Sequence, residues 1–377
     1  VINLVGKRPT DEPLREAELQ AGSWNRKQVA VDLAGPATED KRIRYRLTAL
    51  ARDSDSMVKA YRNDRASLAG TLEWQLADST LLTLRGTYDD TRAAFDPGKP
   101  LEGTLLPNPA GRISRQLFVG ERGVDDYRGK GHTLGYALEH SFNSDWKIRQ
   151  NVLAYDRKID WTYSSPSAQV NPANPRLGTR VAVLRADDDK GFSVDNQLHG
   201  IVRHGNVEHK LLLGLDYAKS SFQRAQSVGT LAPLDLFAPV YGAAPTYLGS
   251  GSSTSRIQQA GLYMQDQIKV DEHWIAVIGG RYDTTRNDAG SGTASEKSHA
   301  FTPRVGLMYA FGNGLTPYYS YSRSFMPTPG ADFQLNRFKP TTGVQHEVGI
   351  KYEPPGANAS VTVAAYQIKQ RNSLTPD

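Results

Sequence analysis

The residues of this chain that could do chemistry are 40 Asp+Glu, eight His and 34 Gly, with no Cys among them. The missing thiols exclude a disulfide scaffold, a Cys-based zinc or iron–sulfur site and a Cys nucleophile. Gly123–Gly131 reads G-V-D-D-Y-R-G-K-G. A phosphate loop needs four residues between its glycines and a hydroxyl after the lysine; here there are five, and Gly131 stands where the hydroxyl belongs, so the run reads as loop. Asp187-Asp188-Asp189-Lys190-Gly191 lacks the alternating ligand spacing and distal Glu of a calcium loop, and reads as a solvated turn. The histidines form no H-x-x-x-H pair; His204 and His209 flank a tight turn at a rim. Carboxylate pairs such as Asp89/Asp90 and Asp125/Asp126 are ordinary loop features, and no G-x-S-x-G elbow occurs. What remains is aromatic: Asp160-Trp161-Thr162-Tyr163 places two large rings two residues apart, so on an extended backbone both point the same way.

The elements that carry these residues are strands. Apolar residues make up 38% of 377 residues, and mean hydropathy is −0.52, yet the aromatic content of 9% speaks against disorder. No apolar run approaches the ~18–20 residues of a membrane helix. That leaves open a transmembrane β-barrel, whose strands alternate apolar and polar and average to a hydrophilic composition. The net charge of +5 is spread without a basic block, so no nucleic-acid partner is expected. Period-two alternation is frequent. Leu82, Leu84, Gly86 and Tyr88 oppose Thr83, Arg85, Thr87 and Asp89; Trp274, Ala276, Ile278, Gly280 and Tyr282 oppose a row ending in Arg281 and Asp283. A dry sandwich core would not house such a polar row cheaply.

The pattern predicts about 15 strands, at roughly 14–21, 27–34, 42–53, 66–77, 80–90, 131–143, 146–156, 192–203, 207–222, 257–270, 274–284, 301–311, 315–324, 342–352 and 360–371. Short connections (Asp78-Ser79, Ser144-Asp145, His204–Asn206, Asp271–His273, Gly312–Gly314) alternate with long ones near 54–65, 91–130, 157–191, 223–256, 285–300 and 325–341. In a meander every second connection lies at the same end, so tight turns gather at one rim and long loops at the other, the asymmetry of an outer-membrane barrel. Tyr45, Leu82, Leu84, Tyr88, Trp274, Ile278, Tyr282, Leu307 and Tyr309 are expected to face outward. Arg46, Arg85, Arg281, Asp283 and Arg304 are expected to face the lumen, since a lipid-facing Arg costs about 2–4 kcal/mol at the midplane.

Several segments, in order, resemble the TonB-dependent outer-membrane siderophore receptors, ferrichrome/hydroxamate branch. Val1–Thr10 (V-I-N-L-V-G-K-R-P-T) is similar to the segment that leaves the family's N-terminal plug and enters the barrel. Gly261–Gln267 followed by Gly279–Asp283 is similar to its mid-barrel hairpin; Phe301–Leu307 and Pro317–Phe325 resemble the next pair, and Lys339–Tyr352 the strand after that. The resemblance implies an all-β transmembrane antiparallel barrel of about 22 strands around a plug. About 15 are expected here, with 1–10 as the C-terminal end of the plug, 11–377 as barrel truncated at its C-terminus, and the plug otherwise missing. It further implies a non-enzymatic receptor in the Gram-negative outer membrane, a monomer in outer-membrane lipid. That receptor imports a ferric siderophore, the hydroxamate type foremost, with energy delivered by TonB; another cargo such as cobalamin or a glycan, and a passive porin, are the alternatives.

No cofactor is implied, because the iron arrives fully coordinated by the siderophore. The receptor then needs aromatic faces and hydrogen-bond donors instead of metal ligands. By resemblance Trp161 and Tyr163 align with an aromatic-x-aromatic pair lining the siderophore cavity; membership of the outer aromatic girdle is the alternative. Phe222, at the top of the ninth strand, and Phe95, in the loop after the fifth, are further ligand-binding candidates. Ala93–Gly98 and the segment after Phe222 hold fewer aromatics than the family pattern.

Overall fold

The computed structural model describes residues 6–375 except 97, 167–169, 172, 289–294, 329–331, 333, 335 and 337. Of the plug-exit segment, residues 1–5 therefore lie outside the described residues. The described residues form fifteen strands: β1 (Leu14–Gly22), β2 (Arg26–Pro36), β3 (Ile43–Asp53), β4 (Asn63–Ala77), β5 (Thr80–Ala93), β6 (Asp126–Ser141), β7 (Trp146–Pro166), β8 (Leu177–His204), β9 (Val207–Asp235), β10 (Thr246–Val270), β11 (Trp274–Asp288), β12 (Glu296–Tyr309), β13 (Leu315–Met326), β14 (Thr341–Tyr352) and β15 (Val361–Arg371). They pair in chain order as one antiparallel sheet.

The register sorts side chains as the alternation requires. Leu84 stands opposite Leu72 and Tyr136, and Ile278 opposite Val305, in one apolar row; Leu84 is 41% and Ile278 53% exposed. Arg281 stands opposite Tyr263 and Thr302, Arg304 opposite Gly279, and Arg85 opposite Thr71, on the other face. Leucines open to the surroundings on one face and guanidiniums gathered on the other suit a wall with lipid outside and a polar interior. The N-terminal segment lies along that charged face. Lys7 pairs with Asp32 at 2.7 Å, Arg8 with Glu73 at 3.0 Å, and Arg46 binds both Asp32 (2.7 Å) and the Arg8 carbonyl (3.0 Å). The charged face is the inner one.

Tight turns after β4, β8 and β10 fall at one end, Gly205 supplying a positive φ of 59° in the His204–Val207 turn. The opposite end carries 54–62, 94–125 and 236–245, but also the short 23–25 turn. Apolar residues of these connections pack together: Val58, Ala94 and Phe118 with Tyr61 and Tyr241, and Ile113, Leu117, Val119 and Leu236 with Val170 and Phe237.

Strands outrun the expected lengths at this end. β7, β8, β9 and β10 hold 21, 28, 29 and 25 residues, so most of 157–191 and 223–256 is paired hairpin. Asp187–Gly191 is accordingly not a solvated turn. It lies within β8, opposite Tyr155–Ile159 and Ser220–Arg224, and Asp187 is buried. Likewise Gly123–Gly131 is loop only to Asp125; its remainder opens β6. The physical reason is shared: beyond the apolar rows neither face needs hydrocarbon side chains, so the period-two hydrophobic signal vanishes while backbone pairing continues.

Candidate functional site on the inner wall

Trp161 and Tyr163 lie within β7, on the face that carries Arg157 and Arg149. Their rings are 4.6 Å apart. β6 sets Tyr127 opposite Trp161, its ring 5.7 Å away and edge-on. Phe95, two residues past β5, drops its ring between the pair, 4.8 Å from Trp161 and 5.0 Å from Tyr163, both edge-on. Three of the four sequence-predicted residues thus form one cluster, in the offset and edge-to-face arrangements that aromatic rings favour. From β8, Arg185 lies opposite Trp161 and places its guanidinium 5.3 Å from that ring's centroid, within cation–π range. The Trp161 Nε1 is buried and has no hydrogen-bond partner among the described residues.

Phe222 makes no ring contact with this cluster among the described residues, and it lies within β9, well short of its end. It shares the cluster's face, because Gln226, four residues on, stands opposite Arg185. The connection runs through charge. Arg224 lies over the Phe222 ring at 5.0 Å and donates Nε to Asp187 Oδ1 at 3.0 Å. Arg185 donates Nε to the same carboxylate at 2.8 Å. Asp187 thereby holds the two guanidiniums that cover Trp161 and Phe222. Sequence reasoning missed Tyr127, Arg185, Asp187 and Arg224 as site residues. Only Asp187 carried a signal, as an acid in a run; of its partners, Arg185 lies two residues before it on β8 and Arg224 opposite it on β9, in a stretch with no apolar alternation to mark it as strand.

The other face of the β7–β8 tip meets Gly120, Glu121 and Asp125, at the end of the 94–125 connection. Glu121 and Arg180 form an ion pair at 3.1 Å with side chains 0% and 1% exposed, and Arg180 also donates to the carbonyls of Gly120 and Ala232. Gly242 N–H donates to the second Glu121 oxygen. Ser164 Oγ donates to Asp125 Oδ1 at 2.7 Å, while Oδ2 is buried and unpartnered among the described residues; burial pushes the carboxyl up to about 6. Burial also raises the Tyr241 phenol, whose Oη donates to the Phe118 carbonyl.

Further down the inner wall, the mid-barrel segments meet. Arg281 pairs with Asp216 and Asp283, and lies over the Tyr263 ring at 5.4 Å; Tyr263 Oη donates to Asp195 at 2.7 Å. Gly261 stands opposite Asp283, where a Cβ would collide with the Arg281 guanidinium. The glycine leaves room for that guanidinium where Asp216 and Asp283 hold it. Among the described residues no group of three or more His, Asp or Glu is placed to hold a metal ion.

The family model described as "TonB dependent receptor-like, beta-barrel" matches residues 73–377. Among curated relatives, the ferrioxamine B receptor of Salmonella typhimurium is 33% identical over 386 residues. The ferrichrome outer membrane transporter/phage receptor of Escherichia coli K12 is 31% identical over 409. Each alignment takes in 100% of this chain and 54% of the relative, so the chain spans about half the length of the curated relatives it matches. Among solved structures, the ferric-catecholate import receptor Fiu of E. coli K12 in its closed form superposes with a TM-score of 0.86 at 16% identity, covering 98% of this chain and 60% of that one. The ferripyoverdine receptor of Pseudomonas aeruginosa bound to ferripyoverdine gives 0.84 at 24% identity, covering 97% and 49%. These likenesses show the fold, the family match shows the kinship, and the family's place is the Gram-negative outer membrane. The chain belongs to the TonB-dependent receptor β-barrels, a family of receptors and transporters, not enzymes.

Proposed function

We propose that the chain forms the ligand-binding wall of a receptor that carries a ferric siderophore, of hydroxamate type, across the outer membrane with energy from TonB. The carrying observation is the ring cluster of Phe95, Tyr127, Trp161 and Tyr163 on the inner face, beside two guanidiniums. A ferric hydroxamate is bulky and weakly polar, and its iron is already coordinated by oxygen. It is held by aromatic faces and N–H donors. The inner-face position of Trp161 and Tyr163 supports a ligand role over a place in the lipid-facing girdle. The relatives named for ferrioxamine B and ferrichrome point to the same ligand class. Residues 1–10 are read as the end of a plug domain and 11–377 as barrel, acting as a monomer in outer-membrane lipid; Lys7 and Arg8, bound to the inner wall, support that division.

The test is the double variant Trp161→Ala, Tyr163→Ala in the full-length receptor. Removing both faces should cost about 1–3 kcal/mol, on the order of ten- to a hundredfold in affinity for a ferric hydroxamate, with normal membrane assembly. Unchanged affinity would take both residues out of the site.

A further inference from the structure

Beside the ring cluster, β8, β9 and β10 line an open groove of about 850 Å³, bordered by Val181, Arg224, Gln226, Val228 and the run Leu248–Ser253. β10 turns Gly251 and Ser253 toward it, opposite Gln226 and Arg224. Nothing lies within 4 Å of where a Cβ on Gly249 or Gly251 would stand. The stretch Gly249-Ser250-Gly251-Ser252-Ser253 therefore keeps open a space that ordinary strand side chains would fill.

One wall of that space is a held guanidinium. Arg224 is fixed at Nε by Asp187 and lies over the Phe222 ring, so its plane is set from two directions. Its two terminal nitrogens carry no hydrogen bond among the described residues, and its side chain is 34% exposed. Asp187 is occupied twice over, by Arg185 as well as Arg224, and its side chain is 3% exposed. One buried carboxylate between two guanidiniums leaves the trio with a net charge of +1. A planar fork with two free terminal NH2 groups, facing an open groove of small residues, matches the two oxygens of a carboxylate.

We propose that this groove is an anion subsite for a carboxylate carried on the periphery of the ligand, with Arg224 as the binding residue and Asp187 as the residue that positions it. The proposal rests on the reading of the ring cluster as a ferric-hydroxamate site and goes beyond it: the receptor selects among such chelates by charge and prefers anionic ones. Gln226, beside Arg224 in the groove, offers an amide to the same group.

The experiment uses the full-length receptor and three ferric complexes that share one core: desferrioxamine B with its terminal ammonium, its neutral N-acetyl derivative, and its N-succinyl derivative, which ends in a carboxylate. Binding is read from quenching of intrinsic fluorescence. The succinyl complex should bind about tenfold tighter than the acetyl complex, the ammonium complex more weakly than either, and added salt should narrow the gaps. Arg224→Ala should abolish the succinyl preference, so that the succinyl and acetyl complexes bind that variant equally. Arg224→Lys, which keeps the charge, should retain part of it, and Gly251→Leu should remove it by filling the groove. Equal affinity for the acetyl and succinyl complexes in the unaltered receptor would overturn the subsite while leaving the hydroxamate reading standing. Failure to bind any of the three would overturn both.

Discussion

Glu121 and Arg180 meet at 3.1 Å inside the loop-bearing end of the sheet, both closed off from water. Each is stranded if the other is removed, and a buried charge without its partner costs about 3–5 kcal/mol. Glu121→Ala should therefore loosen 94–125 from the β7–β8 tip, read as faster proteolysis of that segment in intact membranes. Replacing both residues with apolar ones of similar size should restore most of the protection. Equal cleavage of the single variant and the unaltered protein would show that the ion pair does not hold the segment.

Asp125 gives the same packing a pH dependence. In a detached segment its carboxyl titrates near 3.8; packed, it titrates near 6. The packed form holds the proton more tightly, so packing is strongest at pH 4 and below. It weakens as pH rises toward 6, and is constant above about 7. The gap corresponds to about 3 kcal/mol. Hydrogen exchange of 94–125 should be slower at pH 5 than at pH 7.5 after correction for intrinsic rates. Asp125→Asn should remove that difference; a difference that persists would assign it to another group.

Ile278 and Val277 are neighbours with opposite surroundings, Ile278 in the lipid-facing row and Val277 in the row of Arg281. Ile278→Arg should lower the stability of the folded form by up to about 2–4 kcal/mol, the cost of a lipid-facing Arg at the bilayer midplane. Val277→Arg should assemble nearly normally. Gel mobility of the folded and heat-unfolded forms distinguishes them, and equal yields would sink the assignment of faces.

Phe95 reaches Trp161 and Tyr163 from outside any strand, and such ring pairs are worth about 0.5–1.5 kcal/mol each. Phe95→Ala should shift Trp161 emission to the red, and weaken ferric hydroxamate binding by up to roughly five- to a hundredfold, the worth of the two ring pairs. The shift is measured as the difference that Trp161→Phe abolishes. No shift would mean that Phe95 does not cover the indole.

How much of this was legible in the sequence depends on what each strand faces. β5 and β11 carry an exposed apolar row on one side and charge on the other, so Leu84 against Arg85 and Ile278 against Arg281 announce both strand and orientation. The upper half of β10, Thr246–Ser255, touches none, and its Gly and Ser residues read as loop although they pair residue by residue with β9. Asp187 was hidden for the same reason. Trp161 and Tyr163 were legible because two residues is the strand's own period. Arg185 and Arg224 were not, because the arms that bring them to those rings extend β8 and β9 beyond the apolar alternation, and β7 meets β8 there in a pairing that no tight turn fixes.

Pairing in chain order has a consequence for how such a wall can change over generations. Each strand depends only on the strand before it and the strand after it. An inserted or deleted hairpin therefore disturbs two junctions and leaves every other ladder as it was. Two strands at a time also preserve which face looks inward, whereas one would invert every row downstream. Variation in the circumference of such a wall should thus come in paired steps, and variation in what it binds should concentrate in the overlong arms of β7 to β10, where lengthening or shortening a hairpin leaves the lipid-facing rows untouched.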